Sequence, residues 1–324
     1  MANLTETSGA TYPPARQIEN GEAQAGGENG LWNEHAKVMV ERTNNLKTAV
    51  SDLRLKAAIG LTVGPGGQYA TINAALAYLS DRRPAYVSGG FQATITLRAG
   101  FVMAEQVIVA GIDLSWVRIV AEAASVNISR VALITELGGR YPAWAAHSGG
   151  RLPQLAALMQ MDNTGPAAAR DGVFLSGGGS IVVAGGAGIR YAGGCGLLAR
   201  SASVAVLYGS DWRNAGENAL EAAAASTITA GTANVSAAAG IGLRASGGSM
   251  IDAQTVIASG CAGGGARAET GAVIVAVGAN CRIGASDAST DIVVASGGRI
   301  AAGSAIGGTN IAINTLTASG IIHK

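Results

Sequence analysis

From residue 172 onward the chain repeats one short pattern: a small or polar pair, a brief apolar core, then a glycine corner. The cores lie at residues 180–183, 203–206, 227–230, 250–253, 273–276 and 299–302. Their aliphatic anchors, Ile181, Val204, Ile228, Ile251, Ile274 and Ile300, follow one another at 23, 24, 23, 23 and 26 residues. Glycine-rich corners at 192–194, 215–216, 239–240 and 263–265 separate them. A fixed period of this length marks a solenoid, in which no repeat can bury its apolar face alone. Each core is too short to make a sheet with its sequence neighbours. It can pair in parallel with its copy one period away, at about 4.8 Å per layer. Anchors then form an internal column, and glycines take the corners where φ is positive or backbones crowd. The spacing is too irregular for a strict hexapeptide left-handed helix. A leucine-rich repeat needs several leucines per turn, and these are absent. The expected fold is therefore all-β: a right-handed parallel β-helix of about six regular coils over 172–324.

Composition narrows the alternatives. Glycine (48) and alanine (64) make up about a third of the 324 residues, and aromatics are only 4%. The interior must be thin and built of small side chains. With 48% hydrophobic residues the chain is no disordered tail. Seven prolines rule out collagen, and every apolar stretch is interrupted well before the ~20 residues of a membrane helix. Lys plus Arg (22) balances Asp plus Glu (21), leaving no net field to recruit nucleic acid or an anionic membrane. Cys195, Cys261 and Cys281 are odd in number and lack metal-ligand spacing, so they read as small buried hydrophobes. The start, MANLTETSGATYPP, carries no apolar run, so assembly in a cytoplasm is expected.

The strand face opposite the anchors is assigned Val182, Ala205, Thr229, Asp252, Val275 and Ala301. An apolar outer face on a solenoid marks an interaction site, and the expected partner is another copy of the chain. Residues 61–83 give a short strand, a glycine turn, then Ile72, Leu76 and Leu79 at helical spacing, a helix suited to capping the open first coil. Upstream, Asn33 is a candidate N-cap. Met39, Thr43, Leu46, Val50, Leu53 and Ala57 follow 4-3-4-3-4 spacing, a short coiled-coil seam. Residues 84–170 break the period. The segments 138–147 and 152–162 read as a loop plus a short helix or hydrophobic plug.

The run TVGPGGQYATINAALAYL (62–79) resembles the "GDYxTIxxAL" opening of pectate-lyase-like right-handed β-helices. Residues 93–97, 107–109 and 117–120 resemble that family's first coils. Residues 26–55 resemble the tail-fibre attachment motif "GGxxGxxNxxAxxLxxRTxxLK", with Asn33, Ala36, Arg42, Thr43, Leu46 and Lys47 at its fixed positions and departures at His35 and Val40. Over most of its length the chain is similar to fibre and head-spike proteins of alphaproteobacterial phages and gene transfer agents. That resemblance implies a virion protein in three parts. An arm and helix (1–60) would dock to a virion structural protein through Asn33, Arg42, Thr43, Leu46 and Lys47. A cap with first coils (61–171) and the regular β-helix (172–324) would follow, assembled as a homotrimer, with a distal fibre protein at the tip as one further partner.

Catalysis has no recognisable basis in the sequence. None of the rod's carboxylates (Asp211, Glu217, Glu221, Asp252, Glu269, Asp287, Asp291) lies in a polygalacturonase, pectate-lyase or pectinesterase pattern, and counted from the anchors they do not stack. His147 has no nucleophile elbow nearby, and VGPGGQ lacks the Lys and Ser/Thr of a phosphate loop. No catalytic residue, metal or cofactor is expected. The candidate binding residues are Arg190, Tyr191, Trp212 and Arg213: two arginines one layer apart, each beside an aromatic, facing a host surface polysaccharide. Arg244 and Arg267 are a second pair of arginines one layer apart, without neighbouring aromatics. Stacked arginines repel unless a carboxylate intervenes, and Asp211, Glu217 or Glu269 would screen them. The expectation is non-enzymatic attachment. The alternatives are a tailspike depolymerase and a structural adaptor carrying another receptor-binding fibre.

Overall fold

The structure, a computed structural model, describes residues 31–52, 54–55, 57–84, 92–282, 291–305, 315–317 and 320–323. Contacts divide the chain into two units. One holds the helix Leu31–Asp52 and the short parallel pair Arg54–Leu55 and Arg83–Pro84. The helix already includes Asn33, so that residue lies inside the first turn and is not the N-cap expected. Two residues of the seam, Met39 and Leu46, are 69% and 56% exposed. The exposed Thr43 Oγ1 donates to the Met39 carbonyl at 2.8 Å, so its hydroxyl is satisfied along the helix. Val50 and Leu53 lie outside the residues whose side chains are described.

The other unit is almost entirely parallel β-structure. From Ala93 the chain visits three sheets in rotation, and each strand pairs with the strand one turn earlier and one turn later. The anchor sheet begins with Ile59–Val63, Ala93–Leu97, Val117–Ala121 and Gln154–Leu155. Bridges Arg151–Ser180 and Leu155–Val183 join it to Ser180–Val182, Val204–Val206, Thr227–Thr229, Met250–Asp252, Val273–Val275 and Gly298–Ala301. The ladder sheet holds Val102–Met103, Val126–Ile128, Leu158–Met161 and Gly188–Arg190, and single bridges Asp211–Asn234–Ile257–Asn280 carry its line onward. The broad sheet runs from Val107–Ala110 through Trp144–His147 and Val173–Leu175 to Ile292–Val294. This is a parallel β-helix-like stack. Residues 152–162, expected as a plug, are regular rungs: Met159 pairs with Val126 on one side and Ile189 on the other.

Why such short strands hold is visible in the columns they share. Ile181, Ile228, Ile251, Ile274 and Ile300 fall in one register line and are at most 2% exposed. Each buried isoleucine contributes about 2–3 kcal/mol through burial. The second rung departs from expectation. Ala205 takes the inward place, pairing with Ile181 and Ile228, and Val204 is 45% exposed. Beside the anchors a serine column fills the corner: the Ser203 and Ser226 N–H groups donate to the hydroxyls of Ser226 and Ser249, 3.2 and 3.1 Å away. All three serines are buried. Ser203, Ser226 and Ser249 thus carry the 23-residue period on a second side of the rung, independently of the isoleucines.

At the start of the stack, helix Ile72–Ser80 buries Ile72, Ala75, Leu76 and Leu79 as expected. Its first turn is satisfied from a distance. Glu105 accepts from the Ile72 and Asn73 N–H groups at 2.6 and 3.0 Å, while Thr71 Oγ1 accepts from Ala74. After the 3₁₀ turn Arg130–Ala132 and the interior Leu133, residues 134–142 form a strap whose Leu137 packs on the outer side of the broad sheet. Gln106 ties the strap down, donating to the Thr135 and Pro142 carbonyls and accepting from the Ile134 and Thr135 N–H groups. Beneath it a small second apolar cluster forms from Ala145, Phe174, Cys195 and Leu198.

Candidate functional site

Two outward tracts gather the polar chemistry. The first lies on the ladder sheet. Gln160 pairs with Arg190 in register, and its amide donates to Asn127 Oδ1 at 2.8 Å. One rung further, Tyr191 N–H donates to the Arg213 carbonyl, which places Arg213 on the same outward line. Ser236, Ser259 and Arg282 continue that line through equivalent bonds from Asn214, Ala237 and Gly260. A column of amides, hydroxyls and arginines results, with one carboxylate among them. Asp211 binds both Arg190 and Arg213, the second at 2.9 Å. Burial works to raise the Asp211 carboxyl, but the hydrogen bonds from Arg213 and Arg190 outweigh it and hold it below the usual range. Asp211 is thus the screening group that two stacked arginines require.

Tyr191 sits at a corner with φ 59° and is 43% exposed beside these arginines. Trp212 does not join it. Its ring is fully buried, with Nε1 donating to Ser210 Oγ at 2.7 Å. Strand alternation explains the correction: Arg213 points out, so its neighbour Trp212 points in, on the interior line of Met159, Ile189 and Val235. Trp212 offers no face to a ligand. Of the helix residues, Arg42 is half-buried while Thr43, Leu46 and Lys47 are exposed, and the side chain of Asn33 lies outside those described.

The second tract is a charged network on the outer side of the broad sheet, where Leu198, Glu221, Arg244 and Arg267 share one register column. Arg244 pairs with Glu221 and Glu269 at 3.5 and 3.1 Å, and Arg267 with Glu269 at 2.6 Å. Glu269 therefore screens its pair as expected, joined by Glu221. Glu217 does something else. It accepts from Arg140 of the strap at 2.7 Å, and Arg140 also grips the fully buried Asp171 through two nitrogens. Sequence reasoning missed this clamp because Arg140 and Glu217 are 77 residues apart and lie in no motif.

Asp171, Cys195 and Glu217 bring possible metal-ligand atoms within 4.8 Å of one another. The Arg140 guanidinium already occupies that position as the counter-charge, its Nη2 3.5 Å from Cys195 Sγ. Burial pushes the Cys195 thiol up, with the Asp171, Glu221 and Glu217 carboxylates adding to the rise and Arg140 opposing it. Burial also raises the Asp171 carboxyl, to about 6, against the lowering pull of Arg140 and the Cys195 N–H. Folded Asp171 therefore holds its proton more tightly than the unfolded chain does. Its contribution to stability should fall as pH rises from about 4 to about 6. Asp211, held low, contributes in the opposite sense: its stabilisation is present above about pH 4 and lost below it. Denaturant titrations at pH 4 and 6.5 should show the first effect vanish in Asp171→Asn and persist in Asp211→Asn.

Among the described residues no helix is long and apolar enough to cross a membrane. What fold and site define is a solenoid class, a parallel β-helix-like protein with an arginine and amide ladder on one sheet and a strapped ionic network on another. No protein-family model matches the chain, and a search of curated proteins finds no significant relative.

Proposed function

We propose that the chain is a fibre or spike subunit of a phage or gene-transfer-agent particle that attaches the virion to a host surface polysaccharide without cleaving it. The stack would wind right-handed and project outward. Residues 1–60 would dock it to the virion, with three copies held by the helical seam that includes Met39 and Leu46. The observation that carries this reading is the outward line Asn127, Gln160, Arg190 and Arg213. Its members supply donors at successive rungs, with the exposed ring of Tyr191 beside them for the apolar face of a sugar. The similarity of residues 26–55 to the fibre attachment motif supports the virion assignment.

The charged residues support binding over hydrolysis. Glu217 and Glu221 both lie near Cys195 Sγ, at 3.6 and 3.7 Å, but each is engaged by a cation, Arg140 and Arg244 respectively. A glycosidase needs one carboxyl poised to donate a proton and a second free to attack or activate water. The test uses the full chain on immobilised acidic host polysaccharide. Retention should drop about tenfold in Arg213→Ala, the loss of one charge-assisted contact. Unchanged retention in both Arg213→Ala and Arg190→Ala would remove the ladder as the site. Release of reducing ends by the wild type would replace attachment with depolymerisation.

A further inference from the structure

Two columns of side chains project from the anchor sheet, fixed by its register. The first is Ser180, Val204, Thr227, Met250, Val273 and Arg299. The second, two residues on in each strand, is Val182, Val206, Thr229, Asp252, Val275 and Ala301. Val182, Val204 and Met250 are 40%, 45% and 41% exposed, and the others are half-buried apart from the exposed Arg299. Seven of the twelve are apolar, and only Asp252 and Arg299 carry charge. A contiguous face of this composition is a surface for a partner.

Its pattern names the partner. At three levels the two columns carry the same residue: Val204 with Val206, Thr227 with Thr229, Val273 with Val275. The two charges are opposite in sign and stand on opposite columns. We infer that copies of this chain pack through the anchor sheet in parallel and without stagger, the first column of one copy on the second column of the next. This rests on the self-associating fibre subunit proposed above, and gives that association its surface and register. Valines then meet valines and threonines meet threonines. Arg299 lies two layers, about 10 Å, from the neighbour's Asp252 along the stack, a gap its extended side chain can close while its stem covers Val273. Asp252 needs such a partner, because its Oδ1 is buried and makes no hydrogen bond among the described residues. An antiparallel contact sets each column against itself and parts the two charges, leaving both without a counter-ion.

Cysteine crosslinking of the full chain decides the matter. The natural cysteines are buried, so they do not compete. Val204→Cys and Val206→Cys chains, co-expressed and oxidised, should give an interchain disulfide that neither variant gives alone. Co-expressed Val204→Cys and Val273→Cys should give none, and a disulfide there would establish the antiparallel contact and overturn the inference. Charge reversal supplies a second readout that leaves the stack's interior untouched. Arg299→Glu should weaken association about tenfold in sedimentation, and Arg299→Glu with Asp252→Arg should restore it. A wild-type chain that sediments as a monomer also overturns the inference. If that monomer still adsorbs to polysaccharide, attachment stands without this contact. An assembled, crosslinkable chain that fails to adsorb leaves the contact standing and removes attachment.

Discussion

Gly188→Ala should destabilise the protein by about 3–5 kcal/mol, the sum of an overpacked rung and a strained backbone. Gly188 opens the strand Gly188–Arg190 at φ 143°, a conformation L side chains rarely adopt. A Cβ placed there would stand 2.2 Å from the Asp211 carbonyl oxygen and 2.8 Å from that residue's carbonyl carbon and its nitrogen. All three are backbone atoms of the next rung and cannot rotate aside. Relief would need the layer spacing itself to widen, and the spacing is fixed by the parallel hydrogen bonds above and below. Gly60 is the control. A Cβ there meets nothing within 4 Å and its φ is ordinary, so Gly60→Ala should change stability by less than about 1 kcal/mol. Chemical denaturation of both variants, followed by far-UV circular dichroism, measures the difference. Equal effects at the two sites would mean that rung-to-rung contact does not set the stack's stability.

Asp171→Ala should be comparably severe, about 3–5 kcal/mol, because it removes one partner of a buried ion pair and leaves the other. The Arg140 side chain is only 14% exposed, and its remaining carboxylate, Glu217, is itself 39% exposed. The Cys195 N–H, which donates to Asp171 Oδ1 at 2.8 Å, loses its acceptor as well. Replacing both ions with apolar groups of similar shape, Arg140→Met with Asp171→Leu, should recover much of the loss, since the desolvation cost of the charges goes with them. The strap should report the same event locally. Amide hydrogen exchange at residues 134–142 should quicken in Asp171→Ala before the stack unfolds globally. A single variant as stable as the wild type would show that the clamp contributes nothing net.

The solenoid was legible because its period is covalent: a residue and its partner one rung away are separated by a nearly constant number of positions. The phase of each strand was less so. The run Ser203-Val204-Ala205-Val206 offers two valines around an alanine, and hydropathy alone puts a valine inside. The buried serine at position 203 decides otherwise, because it fixes which side faces the corner and sends Ala205 inward. The same one-residue alternation removed Trp212 from the binding face. An aromatic beside an arginine looks like a ligand platform in sequence, yet adjacent strand residues point to opposite sides. Arg190 and Arg213 were found because they keep the period. Arg140 and Asp171 were not, since the strap that carries Arg140 breaks it.

By itself the amino-acid sequence determined that this chain builds a stack of parallel rungs around a thin interior, because its isoleucines, serines and glycines recur at the rung length and small residues fill what lies between. Tertiary structure alone decided which charges meet at the strap. Arg140 reaches Asp171 and Glu217, 31 and 77 residues further on, through a strap that keeps no period, whereas Asp211 meets Arg190 and Arg213 one rung and two residues away, where the repeat already placed it. Periodic contacts propagate from one rung to the next and so leave a trace in sequence. An ion pair made once, between a strap and a distant corner, leaves none.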